Sequence, residues 1–494
     1  MAFVYNQLMS TRQIATSTLW QFGSQLLMAV LSILAAKFVA VALAKELAGY
    51  YNSAYGYLQI FAVIADFGLY AVAVREMSRH KEPGKIFGAV LVIRTVVLFL
   101  ALGSAVLFVW VLPQWRGTPF PMSVSIASLV PFFTILAGTL RAIFQVRYKM
   151  HFVFVAEVLQ RVLTTGCMAV IVFMGVRLST DVRMEELFLW IGAAGALLLF
   201  LLSLFPAHRL LPVRFCFDRT LITSVLLLAA PYGIAYLGMA FYRQLDVVFI
   251  SLLRPDFALQ NAYYGFAGRV EDMAFLVPTL LLNSTLPILT ARLADKQDVR
   301  GLLGKTLLLL LVLGSIFFLF SFLWSRPLTL LFTTPAYLST PDHPGSDAAF
   351  RLMALPMFLN GLVLYCFYVF LALHQWRRLI VSFGIGVILS IILNLLLTPL
   401  YGFVGAATAL VIVHVFLVFL LLPSALRALK PSFTFATFLR WMLFTIILGA
   451  CLSVTAPFIT SAALTAVSGM SAVAFMAGLL WVTGLHHSFI AKTE

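Results

Sequence analysis

Charge is scarce in this chain. Only 10% of its 494 residues are Asp, Glu, Lys or Arg, while 62% are hydrophobic. A water-soluble protein could not hide that much apolar surface, so the soluble classes are excluded and an all-α polytopic membrane protein remains. Spanning strands are excluded as well, because the apolar runs far exceed the ~10 residues of a membrane strand and do not alternate. The four cysteines, Cys167, Cys216, Cys366 and Cys451, stand singly without metal-ligand spacing and read as packing residues. No H-E-x-x-H, Walker A or G-x-G-x-x-G before a helix occurs, so neither enzyme chemistry, a cofactor nor a metal is expected. With no nucleotide-binding domain, energy would come from an ion gradient, the membrane potential or the substrate gradient. Met1–Gln13 is mixed and polar, and the apolar run after it is too long for a signal peptide, so it reads as the first span.

What is there is a series of long apolar runs. About fourteen spans are expected, near 18–43, 51–74, 86–111, 122–144, 153–175, 187–207, 221–253, 257–290, 303–324, 350–373, 379–398, 403–425, 438–459 and 463–485. The net charge of +15 suggests nucleic acid, but its distribution argues against that partner. With the N-terminus inside, 21 basic residues fall at cytoplasmic ends and 8 at outer ends, Arg141 being counted among the former. That is the positive-inside pattern, and it places both termini in the cytoplasm of a multi-pass inner-membrane protein. The longer outer loops, Arg177–Glu186 and Thr333–Ala349, read as structural turns.

The chain repeats weakly. A shift of 213 residues lays Tyr50-Tyr51-Asn52-Ser53-Ala54 on Tyr263-Tyr264-Gly265-Phe266-Ala267, Arg79 on Arg292 and Gly88 on Gly301. Six spans per copy is an even number, which implies two parallel six-helix lobes. The expected divisions are 1–212 and 213–430 for the lobes, and 431–494 for two appended transmembrane helices.

Polar residues mark the inner helices. Span one carries Gln21, Gln25, Met28 and Ser32; span two carries Asn52, Tyr55, Gln59, Asp66 and Tyr70. Span seven holds Tyr232, Tyr236, Arg243 and Asp246 on one helical face, and span eight holds Arg269, Asp272, Thr279 and Asn283 on another. In the repeat, spans one and two correspond to seven and eight. A charge at the bilayer centre costs at least ~2.5–3.5 kcal/mol, so these residues should turn toward partners or a wet cavity. Interhelical hydrogen bonding is the plainer explanation of the Gln and Asn residues.

Arg243 with Asp246, Arg269 with Asp272, and Glu157 with Arg161 are spaced either to neutralise one another within a helix or to line a cavity. Arg94 reads either as snorkelling toward the cytoplasmic end or as a cavity residue. Asp66, just before Gly68, is a candidate to accept a proton, to pair across helices or to cap the chain. The intramembrane tally is Arg94, Arg161, Arg243 and Arg269 against Asp66, Glu157, Asp246, Glu271 and Asp272, which gives no net cationic cavity.

Several short motifs carry a resemblance. Leu43-Ala-Lys-Glu-Leu-Ala-Gly-Tyr-Tyr51 closes span one, and Asp66-Phe67-Gly68-Leu69 is followed by Arg75-Glu76. Asp246-Val-Val-Phe-Ile250 precedes Tyr263-Tyr264-Gly-Phe-Ala267. Together they resemble the polysaccharide transporter, or Wzx-type O-antigen flippase, branch of the multidrug/oligosaccharidyl-lipid/polysaccharide exporter superfamily. Ala44 departs from the glycine often found at that turn. The resemblance implies a V-shaped pair of lobes that moves an undecaprenyl-pyrophosphate-linked oligosaccharide from the inner to the outer leaflet by alternating access. It also implies the lipid bilayer and the lipid-linked glycan as partners, with glycan polymerases or glycosyltransferases beside a monomer. Arg243 and Arg269 are then the candidate phosphate ligands. Asp246, Asp272, Gln21, Gln25, Gln59, Tyr55, Tyr232, Tyr236, Arg161 and Glu157 complete the substrate-binding set, and Asp66 or Asp246 is the candidate coupling-ion site. A drug or cation exporter, a peptidoglycan-precursor flippase and an integral membrane glycosyltransferase are the alternatives.

Overall fold

In a computed structural model, residues 11–486 are described, apart from Lys81 and Tyr148; for 11–26 and Ala71 the description covers the backbone only. Lipid offers no hydrogen-bond partner to the backbone, so a span must satisfy its own amides as a helix. Among the described residues seventeen α-helices result: α1 (Thr11–Ala42), α2 (Lys45–Asp66), α3 (Leu69–Arg79), α4 (Pro83–Val111), α5 (Phe120–Ala127), α6 (Leu129–Val146), α7 (His151–Phe173), α8 (Val182–Leu210), α9 (Arg219–Leu253), α10 (Phe257–Ala294), α11 (Arg300–Leu323), α12 (Ser325–Phe332), α13 (Ser346–Ala372), α14 (Trp376–Tyr401), α15 (Phe403–Leu429), α16 (Phe435–Thr455) and α17 (Ala462–Val482). Of these, 12 spans are long and apolar enough to cross a membrane, α5 and α6 together forming one. With α1 and the more polar α2, they give the fourteen expected.

The chain divides into two compact units, Met1–Tyr236 and Leu237–Glu494, with the division inside α9. In the first unit α2 packs on α4, α5 and α6, while α8 packs on α6 and α7, and α7 on α1. In the second unit α10 packs on α11 and α13, and α15 on α13 and α14. The pairings therefore recur: α2, α4, α6, α7 and α8 find their counterparts in α10, α11, α13, α14 and α15. The offset between the copies grows after α11, because α12 and the 3₁₀ turn Pro335–Tyr337 lengthen the connection to α13. Helix α12 was not anticipated from sequence. Helices α16 and α17 pack against α11 and α12 through a core of Leu308, Val312, Leu319, Trp324, Phe444, Leu448, Leu452 and Leu479.

Three local features fix where the polar side chains and the turns stand. The second span is not continuous: Phe67 (φ 38°) and Gly68 (φ 67°) are left-handed and separate α2 from α3. Gly233 of α9 sits against that break, where a Cβ would come within 2.7 Å of the Phe67 carbonyl oxygen. Each unit also ties two of its turns together. In the first, the α7–α8 connection pairs with the α1–α2 turn through backbone alone: Ser179 N donates to Ala42 O at 2.8 Å and Ala44 N to Ser179 O at 2.9 Å. In the second, the equivalent α9–α10 and α14–α15 turns are joined by side chains. Arg254 grips Asp256 (2.8 and 3.1 Å) and donates to Pro399 O at 2.9 Å, while Gln260 donates to Asp256 at 2.7 Å and accepts from Phe403 N at 3.0 Å. Finally, the chain leaving each unit's last six-helix element lies across a glycine near the start of α4 or α11. A Cβ on Gly88 would meet Arg214 O at 2.6 Å, and Ser432, whose N donates to Arg300 O at 2.9 Å, covers Gly304.

Of the cysteines, Cys366 is buried as expected for packing, whereas Cys167 is exposed and Cys216 and Cys451 are half-buried. On an exterior that faces lipid, an exposed thiol carries no solvation penalty comparable to that of a charge.

Candidate functional site

The intramembrane charges pair across helices rather than along them. In the first unit Asp66, at the end of α2, forms an ion pair with Arg94 of α4. Arg94 is only 4% exposed and also donates to Thr139 Oγ1 of α6 at 3.3 Å, so it is sealed inside and does not snorkel. Asp66 keeps a third of its side chain exposed, and of the roles left open by sequence it takes interhelical pairing. The Phe67–Gly68 break, with Asp66 immediately before it, delivers that carboxylate to α4.

Glu157 of α7 is bridged by Arg141 of α6 at 3.3 Å, and Arg161 donates to Ser32 Oγ of α1. The expected option of a Glu157–Arg161 pair is thereby corrected. Arg141, assigned from sequence to a cytoplasmic end, stands five residues before the end of α6 and is the partner of Glu157. Tyr70 of α3 bonds to Gln145 of α6 close by. Tyr55 is half-buried, with its ring 4.9 Å from that of Tyr51 and its hydroxyl against Gly192 of α8; Gln59 is exposed. Tyr232 and Tyr236 are stacked at 6.1 Å. Gln21 and Gln25 fall in α1, but their side chains lie outside the described residues.

In the second unit Arg243 of α9 is held by two carboxylates of α10, Glu271 and, at 3.0 Å, Asp272. Its guanidinium lies 4.2 Å from the centre of the Phe275 ring. Arg243 and Glu271 are 6% and 5% exposed, whereas Asp272 is 60% exposed. Neither Arg243–Asp246 nor Arg269–Asp272 pairing within a helix is what neutralises these acids. Asp246 instead accepts hydrogen bonds from Tyr264 Oη of α10 (2.6 Å) and Asn394 Nδ2 of α14 (3.4 Å), and Asn394 Oδ1 accepts from Thr398. Arg269 is half-buried, 5.8 Å over the Phe266 ring. The i,i+3 spacing permits a pair within the helix, but the long arginine stem also reaches the carboxylates of the neighbouring helix, and here Arg243 pairs there.

Sequence reasoning counted Arg94 and Glu271 among the intramembrane charges without naming their partners, and it missed Arg141 as the partner of Glu157 and Tyr264 and Asn394 as the partners of Asp246. The polar Asn394 and Thr398 in an otherwise apolar span were the one available signal. A cavity of about 310 Å³ opens elsewhere in the first unit, lined by Met77, Ser78, Pro83, Ile143, Val146, Arg147 and Leu211, and none of the expected site residues lines it. Among the described residues no group of three or more His, Cys, Asp or Glu could hold a metal ion.

Fold and pairings together define a multi-pass helical membrane protein with buried interhelical ion pairs. The chain belongs to the polysaccharide biosynthesis protein family, whose family model matches residues 14–290, more than half of its length. Its fold is shared with solved transporters at low identity. The lipid II flippase MurJ in an inward closed conformation is 15% identical, with a TM-score of 0.67 over 95% of this chain and 99% of that one. An inward-facing multidrug resistance MATE family transporter of the MOP superfamily is 15% identical, with a TM-score of 0.61 over 82% and 95%. A MOP superfamily transporter from Pyrococcus furiosus Vc1 is 14% identical, with a TM-score of 0.51 over 85% and 94%. No curated protein matches the chain.

Proposed function

We propose that this protein is a flippase that carries an undecaprenyl-pyrophosphate-linked oligosaccharide from the cytoplasmic to the outer leaflet by alternating access, for surface polysaccharide biosynthesis. The observation that carries the reading is the conjunction of family and fold. A member of a polysaccharide biosynthesis family shares its fold, over nearly its whole length, with a flippase of lipid II. The physics fits the task. Each sugar hydroxyl taken unpaired into hydrocarbon costs several kcal/mol, so the head group needs polar shelter while its lipid tail stays in the bilayer. Arginine suits the pyrophosphate, because its planar fork meets phosphate oxygens two at a time.

In this reading Arg269 and Arg243 hold the phosphates. Asp272, the exposed partner of Arg243, is the carboxylate a phosphate oxygen replaces, while the buried Glu271 stays in place. Arg161 and the Arg141–Glu157 pair receive the head group in the first unit, with Gln21, Gln25, Gln59, Tyr55, Tyr232 and Tyr236 toward the sugars. Asp66 and Asp246 are the acids through which an ion would couple. The N- and C-termini lie in the cytoplasm, the protein works as a monomer in the inner membrane, and it hands its cargo to a glycan polymerase or glycosyltransferase.

The test is leaflet transfer of a labelled lipid-linked oligosaccharide in proteoliposomes. Wild type should transfer it, and Arg269→Ala with Arg243→Lys should transfer it at least about tenfold more slowly, the equivalent of ~1.4 kcal/mol. No transfer by wild type, or full transfer by the variant, overturns the reading. The MATE-like fold favours a second reading, a drug or cation exporter. It predicts efflux of an organic cation that depends on Asp66 or Asp246 and no movement of the glycan.

A further inference from the structure

We propose that Glu185 is a proton-binding site of the first unit, a buried carboxylic acid that gives up its proton only when its end of the unit opens to water. Glu185 stands in the first turn of α8 and is 0% exposed. Its Oε2 lies 3.1 Å from Ser123 Oγ of α5, and its Oε1 has no hydrogen-bond partner. None of the ion pairs among the described residues includes it. The other acids of the intramembrane clusters each have an arginine or at least two donors. An ionised Glu185 would be a charge taken out of water with a single hydroxyl to stabilise it.

The hydroxyl itself is shared. Ser123 Oγ is also 3.0 Å from the Pro119 carbonyl oxygen, one turn back on its own helix. One hydroxyl hydrogen cannot serve both acceptors. With the carboxyl protonated the conflict disappears: Glu185 Oε2–H donates to Ser123 Oγ, and Ser123 Oγ–H donates to Pro119 O.

The surrounding charges favour the same form. From α2, Tyr50 lies within electrostatic reach, and Glu186 is the next residue on α8. The Glu186 carboxylate repels a second negative charge beside it. The facing halves of α6 (Leu129–Gly138) and α7 (Thr164–Phe173) bring no Asp, Glu, Lys, Arg or His. The amino-terminal end of α8, the exposed Arg183 in the same turn and Lys45 at the start of α2 favour the anion, but none of them is ion-paired with Glu185, and their fields act weakly against full burial. The way out is short: Asp181, the exposed residue capping α8, lies four positions away. Resting on the flippase reading, the consequence is that a proton leaves and returns at Glu185 once per opening, which makes a pH gradient a driving force.

Infrared spectroscopy of the full-length protein tests the site without any substrate. Wild type at neutral pH should show a carboxylic-acid C=O band that Glu185→Gln removes, and Ser123→Ala, which keeps the acid but deletes its partner, should shift that band. Glu185→Gln should keep the wild-type melting temperature at neutral pH, since its amide N–H replaces the acid O–H toward Ser123. Should the Gln variant not fold, the shift in Ser123→Ala still decides. A wild-type spectrum with no band sensitive to either substitution overturns the proposal. In proteoliposomes an imposed pH gradient should accelerate wild-type transfer and leave Glu185→Gln unaffected; acceleration that persists in the variant removes Glu185 from coupling. Absence of transfer in both proteins would defeat the flippase reading while leaving the infrared result to stand.

Discussion

The two units repeat one set of helix pairings but secure them with different chemistry. In the first, the turns are joined by main-chain hydrogen bonds between Ala42, Ala44 and Ser179, and the ion pairs between its transmembrane helices, among the described residues, are one acid to one arginine, Asp66 with Arg94 and Glu157 with Arg141. In the second, the equivalent turns are joined by Arg254, Asp256 and Gln260, and one arginine is shared by Glu271 and Asp272. Duplicated architecture thus conserves which helices touch, not which groups make the contact. The second unit's turn clasp rests on a few replaceable side chains, where the first unit's rests on backbone that no substitution short of proline removes.

Three measurements sharpen or break that contrast. The largest effect is expected from Arg243→Ala, which leaves Glu271 buried without its counter-charge and should cost ~3–5 kcal/mol in reversible unfolding. Arg94→Ala should cost clearly less, because Asp66 is a third exposed and can recover solvation. Equal losses would mean the units are not differently built in this respect. Next is Gln260→Ala, which strips the Phe403 amide of its acceptor. A buried donor left unsatisfied costs ~1–3 kcal/mol, and hydrogen exchange at Phe403 should accelerate. Truncating Val41, Ala42 or Leu178 side chains should leave exchange at Ser179 and Ala44 unchanged.

The smallest effect is an acid-side pH dependence of the second unit's clasp. Burial pushes the Asp256 carboxyl up, but the bonds from Arg254 and Gln260 outweigh it and hold the group below the usual aspartate value. A depressed folded value means the stabilisation is fully present above the unfolded value, near pH 3.9, and is lost as pH falls through the lower folded one. For so exposed a group the gain is at most ~1 kcal/mol. Acidification below about pH 4 should therefore loosen Phe403 by exchange and spare Ser179. Parallel loosening of both would show that the two clasps share a cause.

Much of the architecture was legible in the chain. Apolar length gave the spans, and α8 and α10 begin and end within a few residues of the expected 187–207 and 257–290. Short-range signals worked where the interaction is short-range, as with Gly68 beside Asp66. They failed where partners lie far apart in sequence. Asp66 and Arg94 are separated by the whole of α3 and the start of α4, and no short pattern encodes their meeting, nor that of Arg141 with Glu157 on the next helix. Glu185 reads as part of a loop, since one turn of helix separates an exposed acid from a sealed one. Helix α12 is too short, and Pro327 too near its start, to stand out from the end of the preceding span.

The glycine seats at Gly88 and Gly304 have a mechanical corollary. The connector past Leu211 is moored to α4 and the one past Leu429 to α11, so neither begins as slack rope at the end of its own helix. A tug on the strand beyond Cys216 is felt first by the helix that carries Arg94, and trimming the chain after residue 430 would uncover the seat at Gly304 as well as deleting α16 and α17.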